Sequence, residues 1–382
     1  MKTFDVVVVG AGPGGATAAR YAAMSGASTL LLDRRREVGV PVVCGELTSG
    51  STFPEFSLDS DGPWVAHQMG ITRIVFPEGK ILDFHGIKLV TLHRDIFEKH
   101  LVEMAMDEGA EIRMNTTVRG VTDPGETSTS THETNNDLSF GGVVLKNGEQ
   151  VRAKVIIAAD GVKSTIGKSM GMVRAPAIRD LGRAMKYIVR SKNIDQSMGQ
   201  FFAGEEGTQG YAWILPKGND TANVGIGTLG GTRTFLRPAL DRFIEKRIPG
   251  AHKESFTAGC LPVTLPPTRT VWKNVMLVGD AASMVNSVGG AGIRNAMVAG
   301  RIAGRIAGEY VQESKPMSYL EKYEKAWRKK LYPRLRMNYF IKELMWHSET
   351  SSKHFYPLIA PMNRIMNMVP GLLSWIQNKQ HM

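Results

Sequence analysis

The run Val6-Val7-Val8-Val9-Gly10-Ala11-Gly12-Pro13-Gly14-Gly15 sets a glycine-rich turn directly after an apolar, β-branched stretch and directly before a stretch of small residues. That order suits binding of a dinucleotide pyrophosphate. Gly10 makes the tight turn, Gly12 lets the backbone come against the phosphates, Gly14 continues the loop, and Gly15 lets helix pack closely on strand. The helix that follows would face the phosphates with free N–H groups and partial positive charge. Asp33 closes the second apolar run, where a carboxylate can bind ribose hydroxyls.

These residues need a βαβ unit to hold them. Phe4–Val9 is expected as a buried parallel strand, Ala16–Met24 as helix and Thr29–Leu32 as the second strand. Farther on, Ile71–Phe76 and Lys80–Phe84 read as paired strands. Arg94–Glu108 reads as a helix with Ile96, Phe97, Leu101, Met104 and Ala105 at helical spacing. Glu111–Met114 and Thr117–Val121 are expected as short strands and Val155–Ala159 as a buried one. Arg183–Gly227 is expected as antiparallel sheet, Thr234–Arg247 as helix and Val275–Val278 as strand. A helix rich in glycine and alanine is expected over Gly292–Ile306, and a basic, mostly helical tail from Met317. Between them, Thr122–Asp137 is polar and reads as a long loop.

A glycine fingerprint does not by itself separate FAD from NAD. Later segments do so by resemblance. Ala158-Ala159-Asp160-Gly161-Val162-Lys163-Ser164 resembles the DG motif of flavin enzymes related to aromatic hydroxylases. Val278-Gly279-Asp280-Ala281-Ala282 resembles their second FAD motif, whose aspartate meets the ribityl-pyrophosphate region. Gly289-Gly290-Ala291-Gly292 then opens a helix, leading into Ile293, whose N–H groups can stabilise negative charge on a reduced flavin. The cofactor implied is FAD, with no second nucleotide fold for NAD(P)H and no metal site.

Pro41-Val42-Val43-Cys44-Gly45-Glu46, Leu92-His93-Arg94-Asp95 and Gly210-Tyr211-Ala212-Trp213-Ile214-Leu215-Pro216-Lys217-Gly218 together resemble the archaeal geranylgeranyl reductases. The third segment follows the family pattern YxWxFPKG with Leu215 in place of Phe. The resemblance runs from about Lys2 to Tyr323. It implies that Cys44, Gly45 and Leu47 lie beside the flavin, with Gly292 and Ile293 against its ring. It also implies that Arg94 approaches the phosphates or ribityl chain, and that Val118 meets the adenine half through its backbone. Asn286-Ser287 stands where the family carries Asp-Pro, which removes a charge and a rigid turn.

Cys44 reads first as a flavin contact, because its glycine-flanked segment lets backbone approach a ring closely. A proton donor and an ordinary small residue are the competing readings. Tyr211, Trp213 and Pro216 are candidate substrate contacts; the two aromatics share one face of a strand and form either sheet core or the wall of an apolar channel. Lys217 reads as a solvated charge in a turn. Arg94, at a helix start where a cation is unfavourable, implies a negative partner: a phosphate, Asp95 or Glu98.

The chain has 382 residues, 42% hydrophobic and 22% charged, with a net charge of +11 and two cysteines, Cys44 and Cys260. It is long enough for two domains. The expected fold class is α/β (α+β overall). A discontinuous Rossmann-like FAD-binding domain (residues 1–60, 92–175 and 258–312) is interleaved with an antiparallel-sheet substrate domain (61–91 and 176–257), followed by a helical region (313–382). Two thiols make no disulfide framework and point to a reducing compartment. No stretch reaches the roughly 18 apolar residues of a membrane span, and no signal-peptide pattern is visible. A cytoplasmic protein is expected, with peripheral contact at the inner face of the cell membrane as the sharper alternative. The basic charge favours lipid or phosphate partners, and no nucleic-acid motif is visible. In the tail, Leu358, Met362, Ile365, Met366, Val369, Leu372, Leu373 and Ile376 recur at helical spacing, broken by Pro361 and Pro370. They suit packing against the body of the protein, or a lipid surface flanked by Lys329, Lys330, Arg334 and Arg336.

The resemblance implies reduction of carbon–carbon double bonds in geranylgeranyl chains of archaeal membrane glycerophospholipids, with an isoprenoid lipid as substrate. Ferredoxin, coenzyme F420 and NAD(P)H are all compatible as the external electron donor. A flavin-dependent monooxygenase or halogenase, a membrane-associated electron-transfer flavoprotein and a non-catalytic lipid-binding descendant remain as alternatives.

Overall fold

The computed structural model describes residues 2–77, 79–122, 141–205, 208–231 and 235–347. The polar segment Thr122–Asp137 beyond Thr122 and the apolar tail positions from Leu358 to Ile376 lie outside these. In chain order the strands are β1 (Lys2–Val9), β2 (Thr29–Leu32), β3 (Leu47–Ser49), β4 (Val65–Val75), β5 (Ile81–Leu92), β6 (Glu111–Arg113), β7 (Val118–Thr122) and β8 (Gly141–Leu145). They continue with β9 (Gln150–Ala158), β10 (Leu181–Arg190), β11 (Met198–Ala203), β12 (Gly210–Gly218), β13 (Thr221–Thr228), β14 (His252–Pro262), β15 (Val271–Trp272) and β16 (Val275–Leu277). The helices are α1 (Pro13–Met24), α2 (Thr52–Glu55), α3 (Arg94–Asp107), α4 (Thr165–Ser169), α5 (Leu236–Arg247), α6 (Ile293–Gln312) and α7 (Glu321–His347).

The chain divides into two units. The first takes Met1–Val40, Glu98–Pro176 and Thr264–Tyr339; the second takes Pro41–Phe97, Ala177–Val263 and the chain from Phe340. Pro41–Ser60 thus lies in the second unit, and the residues from 313 to 339 in the first.

The first unit holds a sheet with the order β15-β16-β9-β1-β2-β6, to which β8 and β7 are added. From β16 to β6 the pairing is parallel. Strands buried on both faces need near-continuous apolar runs, and Val6 to Val9, Leu30 to Leu32 and Val155 to Ala158 are all buried. Helix α1 packs on α6 at very short range. A Cβ on Gly300 would lie 2.2 Å from the carbonyl oxygen of Gly14, and one on Gly304 2.4 Å from that of Ala18. Glycines one turn apart on α6 thus let two helix backbones nearly touch, and this close pairing accounts for the small-residue composition of both. Tyr323, Trp327 and Leu331 of α7 are buried, and the Tyr323 hydroxyl donates to the carbonyl of Leu277 at 2.6 Å.

The second unit holds a sheet with the order β14-β10-β13-β12-β11-β4-β5-β3. Its pairings are antiparallel except β4 with β11, which is parallel. The antiparallel sheet expected over Arg183–Gly227 is present, and the parallel pairing joins it to β4, which reaches β11 from a distant part of the chain so that no hairpin constrains its direction. Strands β4 and β5 also run longer than their apolar stretches suggest, with irregular register at Val65/His67 and Met69/Ile71. Helix α5 covers one face of this sheet, setting Leu236, Ala239, Leu240, Phe243 and Ile244 against Tyr187, Val189, Ala212, Ile214, Val224 and Ile226. Because side chains alternate along a strand, the opposite face carries Lys186, Phe201, Tyr211, Trp213, Leu215 and Asn223.

Candidate functional site

In the first unit the glycine turn has the geometry a phosphate cradle needs. Gly10 has φ +105°, and a Cβ there would lie 2.2 Å from the carbonyl oxygen of Ala159. A Cβ on Gly15 would lie 1.7 Å from the carbonyl oxygen of Gly10, and one on Gly14 3.0 Å from Val278. These glycines admit strand, turn and helix to one another. Gly12 differs: nothing stands within 4 Å of the side its Cβ would take, and it opens α1 without a side-chain cap. The open approach therefore lies where a pyrophosphate would meet the backbone.

Asp33 is buried beside this turn. Its Oδ2 accepts the Ala11 N–H at 2.7 Å, and Arg35 donates to both oxygens, from its backbone N at 2.8 Å, Nε at 3.1 Å and Nη2 at 2.9 Å. Arg35 Nη1 reaches Glu98 at 2.7 Å. Burial pushes the Asp33 carboxyl upward, but Arg35 outweighs it and the net shift is downward, so the group is ionised. Thr116 N donates to the Asp33 carbonyl at 2.8 Å, which brings the start of β7, with buried Val118, alongside the acid. Arg35 was missed in the sequence because it stands among three consecutive arginines and nothing local sets it apart.

The later motifs meet the same turn. Asp160 Oδ2 accepts the N–H groups of Thr165 at 2.7 Å and Ile166 at 3.1 Å, while its Oδ1 is buried with no partner among the described residues. Gly161 has φ +78° and Gly279 φ +68°, the left-handed region that favours glycine. A Cβ on Gly292 would lie 3.5 Å from Asp280 Oδ1, so the second motif abuts the start of α6 at Ile293. Asn286 organises its own turn. Asn286 Oδ1 accepts the N–H of Val288 at 2.9 Å and of Gly289 at 3.0 Å, and its carbonyl accepts the Gly290 N–H at 2.8 Å. An Asx-type turn thus bends the chain into Gly289 and Gly290 without proline or charge. FAD fits these residues: an open glycine cradle and an unpartnered buried carboxylate oxygen both await a polar ligand.

In the second unit the Cys44-Gly45-Glu46 segment is bound to the open sheet face by a buried ion cluster. Glu46 is 3% exposed. Lys186 Nζ donates to its Oε2 at 3.0 Å and Lys217 Nζ to its Oε1 at 2.9 Å. Asn223 Nδ2 donates to Oε2 at 2.9 Å and to the Cys44 carbonyl at 3.2 Å, and Asn223 Oδ1 accepts the Trp213 indole N–H at 2.9 Å. Lys217 also donates to the Leu92 carbonyl at 2.7 Å, and the backbone N of Arg94 lies 3.5 Å from Glu46 Oε1. Burial alone would raise the Glu46 carboxyl, but Lys186 and Lys217 together hold it below its ordinary value. His93, beside this cluster, is pushed downward by burial and by Lys217.

The reading of Lys217 as a solvated turn charge is corrected: its side chain is 10% exposed and locked to Glu46. Lys186 and Asn223 were missed. Each sits singly in an alternating strand, and only strand pairing brings them under the cysteine.

Around this cluster the face is apolar. Met69, Trp213 and Leu215 form a buried group against which Leu47, Leu89, Phe201 and Tyr211 pack. The Tyr211 and Trp213 rings lie 5.8 Å apart, and the indole lies over Gly225, where a Cβ would stand 2.1 Å from it. Pro216 is buried at the irregular end of β12, where its carbonyl accepts the Thr91 hydroxyl at 2.5 Å. Burial, with a smaller effect from Cys44, pushes the Tyr211 hydroxyl up to about 12, so it stays neutral. The Glu46 N–H donates to Cys44 Sγ at 3.2 Å, and Gly45 has nothing within 4 Å of its Cβ side. A half-buried thiol and an open backbone corner therefore stand beside an aromatic-walled face.

The parallel sheet, the glycine cradle with Asp33 and the two aspartate motifs define an FAD-dependent oxidoreductase, and residues 5–162 match the FAD dependent oxidoreductase family. Residues 180–259 match the geranylgeranyl reductase catalytic domain. The chain is 34% identical over 365 residues to the digeranylgeranylglycerophospholipid reductase of Thermoplasma acidophilum, covering 90% of this chain and 88% of that one. It is 33% identical over 351 residues to digeranylgeranylglycerophospholipid reductase 2 of Methanococcoides burtonii, covering 89% and 84%. A crystal structure of a geranylgeranyl bacteriochlorophyll reductase-like protein from Thermoplasma acidophilum superposes with a TM-score of 0.81 at 32% identity, covering 92% of this chain and 90% of that one. The chain belongs to the geranylgeranyl reductase family of FAD-dependent oxidoreductases. The myxobacterial chondrochloren halogenase, at 17% identity and a TM-score of 0.66, shares the fold alone. Among the described residues no helix is long and apolar enough to cross a membrane.

Proposed function

We propose that this protein reduces carbon–carbon double bonds in the geranylgeranyl chains of archaeal membrane glycerophospholipids. The observation that carries the reading is the Cys44–Gly45 corner: a thiol held by the Glu46 N–H beside an open glycine, on a sheet face walled by Phe201, Tyr211 and Trp213. Identity of about a third to reductases of that name, over most of both chains, supports it.

Bound FAD in its reduced form supplies the hydride equivalent for one alkene carbon. In the first unit, Gly10, Gly12, Gly14, Gly15 and Asp33 would hold the adenosine and pyrophosphate, with Val118 at the adenine. Asp160, Gly161, Gly279 and Asp280 would serve the ribityl-pyrophosphate, and Gly289, Gly290, Gly292 and Ile293 the flavin. By the family resemblance, Gly45, Leu47 and Arg94 would be further cofactor contacts. The Cys44 thiol delivers a proton to the other alkene carbon and is left as a thiolate, toward which the Glu46 N–H points. An unactivated alkene has no carbonyl to polarise, so developing charge must be met in a dry site. Tyr211, Trp213 and Pro216 would exclude water and hold the chain. An external donor of the ferredoxin, coenzyme F420 or NAD(P)H class would re-reduce the cofactor, and the lipid would be drawn from the inner membrane face by peripheral contact.

The test is anaerobic. The purified protein is reduced with dithionite and mixed with geranylgeranyl glycerophospholipid, and the lipid is followed by mass spectrometry beside the flavin spectrum. A gain of one H2 per double bond, in step with loss of the reduced-flavin spectrum, is expected. An unchanged lipid with the spectrum still reduced would refute the reading.

A further inference from the structure

The turn that presents Cys44 is held against the preference of its own backbone. Glu46 has φ +60°, a region that β-carbon-bearing residues other than Asn and Asp rarely adopt. In that conformation its N–H points back to Cys44 Sγ at 3.2 Å, and its carbonyl accepts the Leu92 N–H at 2.8 Å. Glycine would adopt this φ without strain, yet the position carries a long acidic side chain whose carboxylate is gripped by Lys186, Lys217 and Asn223. Asn223 ties the two ends of the turn by donating to both the Glu46 carboxylate and the Cys44 carbonyl. A buried ion cluster is a poor source of net stability, because desolvation offsets its Coulomb attraction, but it specifies one geometry.

We infer that Glu46 is a positioning residue: its clamped carboxylate holds residue 46 left-handed so that its N–H caps the Cys44 sulfur and fixes the thiol for proton delivery. This rests on the reading of Cys44 as the proton donor. Lys186 and Lys217 act through Glu46. The N–H that meets the sulfur can also donate to the thiolate left after transfer, so loss of the clamp takes a fixed donor away from that anion. Among the described residues, the titratable groups facing this turn are Glu46 itself, Lys186 from β10, Lys217 and Tyr211 from β12, and His93 at the β5–α3 junction, where the backbone N of Arg94 also lies 3.5 Å from Glu46 Oε1. The carboxylate and two ammoniums of the cluster sum to one positive charge.

The experiment uses the holoprotein with Cys260→Ser, so that Cys44 is the sole thiol, and measures its iodoacetamide alkylation rate against pH. The variants are Glu46→Gln with Lys186→Met, which keeps the net charge of the cluster, Asn223→Ala, which alters no charge, and Glu46→Asp, which keeps a carboxylate on a residue type that tolerates φ +60°. In the double variant alkylation near neutral pH should slow at least about fivefold, with its midpoint moved up in pH, and kcat should fall at least about tenfold with KM within about twofold. Asn223→Ala should move the profile the same way by a smaller step, and Glu46→Asp should restore most of the wild-type profile. Flavin content reports folding, and if the double variant loses flavin, Asn223→Ala decides. A wild-type alkylation profile in the double variant or in Asn223→Ala, with flavin retained, would overturn the inference. The alkylation profile is read without the lipid, so a wild type that fails to reduce lipid counts against the proposed function alone.

Discussion

The side-chain amide of Asn223 donates to the Glu46 carboxylate at 2.9 Å across 177 positions of sequence, while its oxygen takes the Trp213 indole N–H. One neutral residue thereby joins the cysteine-bearing turn to the aromatic wall. Asn223→Ala leaves the indole N–H and one carboxylate oxygen short of a partner in a buried site. A loss of roughly 1–3 kcal/mol is expected from urea unfolding. A change within about 0.5 kcal/mol would mean that these bonds add nothing over those the chain makes with water.

Acid should destabilise the fold in two stages. His93 is held below its ordinary 6.5 in the folded state, so the unfolded chain binds the extra proton and stability falls once pH drops through 6.5. Glu46 is held below its ordinary 4.5, so its contribution is present above that value and is lost as pH falls through the lower folded value. Asp33 acts in the same direction as Glu46. Urea midpoints measured from about pH 7 to about pH 3 should decline throughout, and more shallowly below pH 4.5 in Lys186→Met, where Glu46 has lost a main partner. An unchanged low-pH slope in that variant would contradict the assignment.

The glycines of the cradle should separate folding from cofactor retention. Gly12 has open space where a Cβ would go and an extended φ of −73°, so Gly12→Ala should leave apoprotein stability within about 0.5 kcal/mol while reducing bound FAD. Gly15→Ala drives a Cβ into the Gly10 carbonyl and should cost roughly 1–3 kcal/mol or more with or without cofactor. Urea unfolding of apoprotein, with flavin content of the purified protein, distinguishes the two. Equal stability losses would refute the distinction.

Gly225 and Trp213 should be coupled. Gly225→Ala sets a methyl 2.1 Å from the indole and should destabilise by roughly 1–3 kcal/mol. Adding Trp213→Leu removes the collision with the indole but leaves the Met185 carbonyl oxygen at 2.7 Å, so the double variant should remain destabilised yet lose less than the sum of the single losses by about 0.5–3 kcal/mol. Strict additivity in a double-mutant cycle would place the indole elsewhere.

The glycine turn and the acid beside it were legible in the chain. Gly10, Gly12, Gly15 and Asp33 lie within one strand–turn–helix–strand, where the backbone demands of a tight turn and of close helix packing are local. The alternation that sets Tyr211 and Trp213 on one face was legible for the same reason. Tertiary structure alone decided which face of that sheet meets the Cys44–Glu46 segment, because α5 covers the other. It alone brought Lys186, Lys217 and Asn223 to Glu46, over separations of 140, 171 and 177 residues. A lone lysine in a strand or turn reads as a solvated charge until strand pairing fixes its neighbours. Ion pairs between distant segments have no spacing, and so leave no local pattern in the chain. Asn286 belongs between the two cases: its type marks a turn, but only the folded loop directs its side chain to Val288 and Gly289.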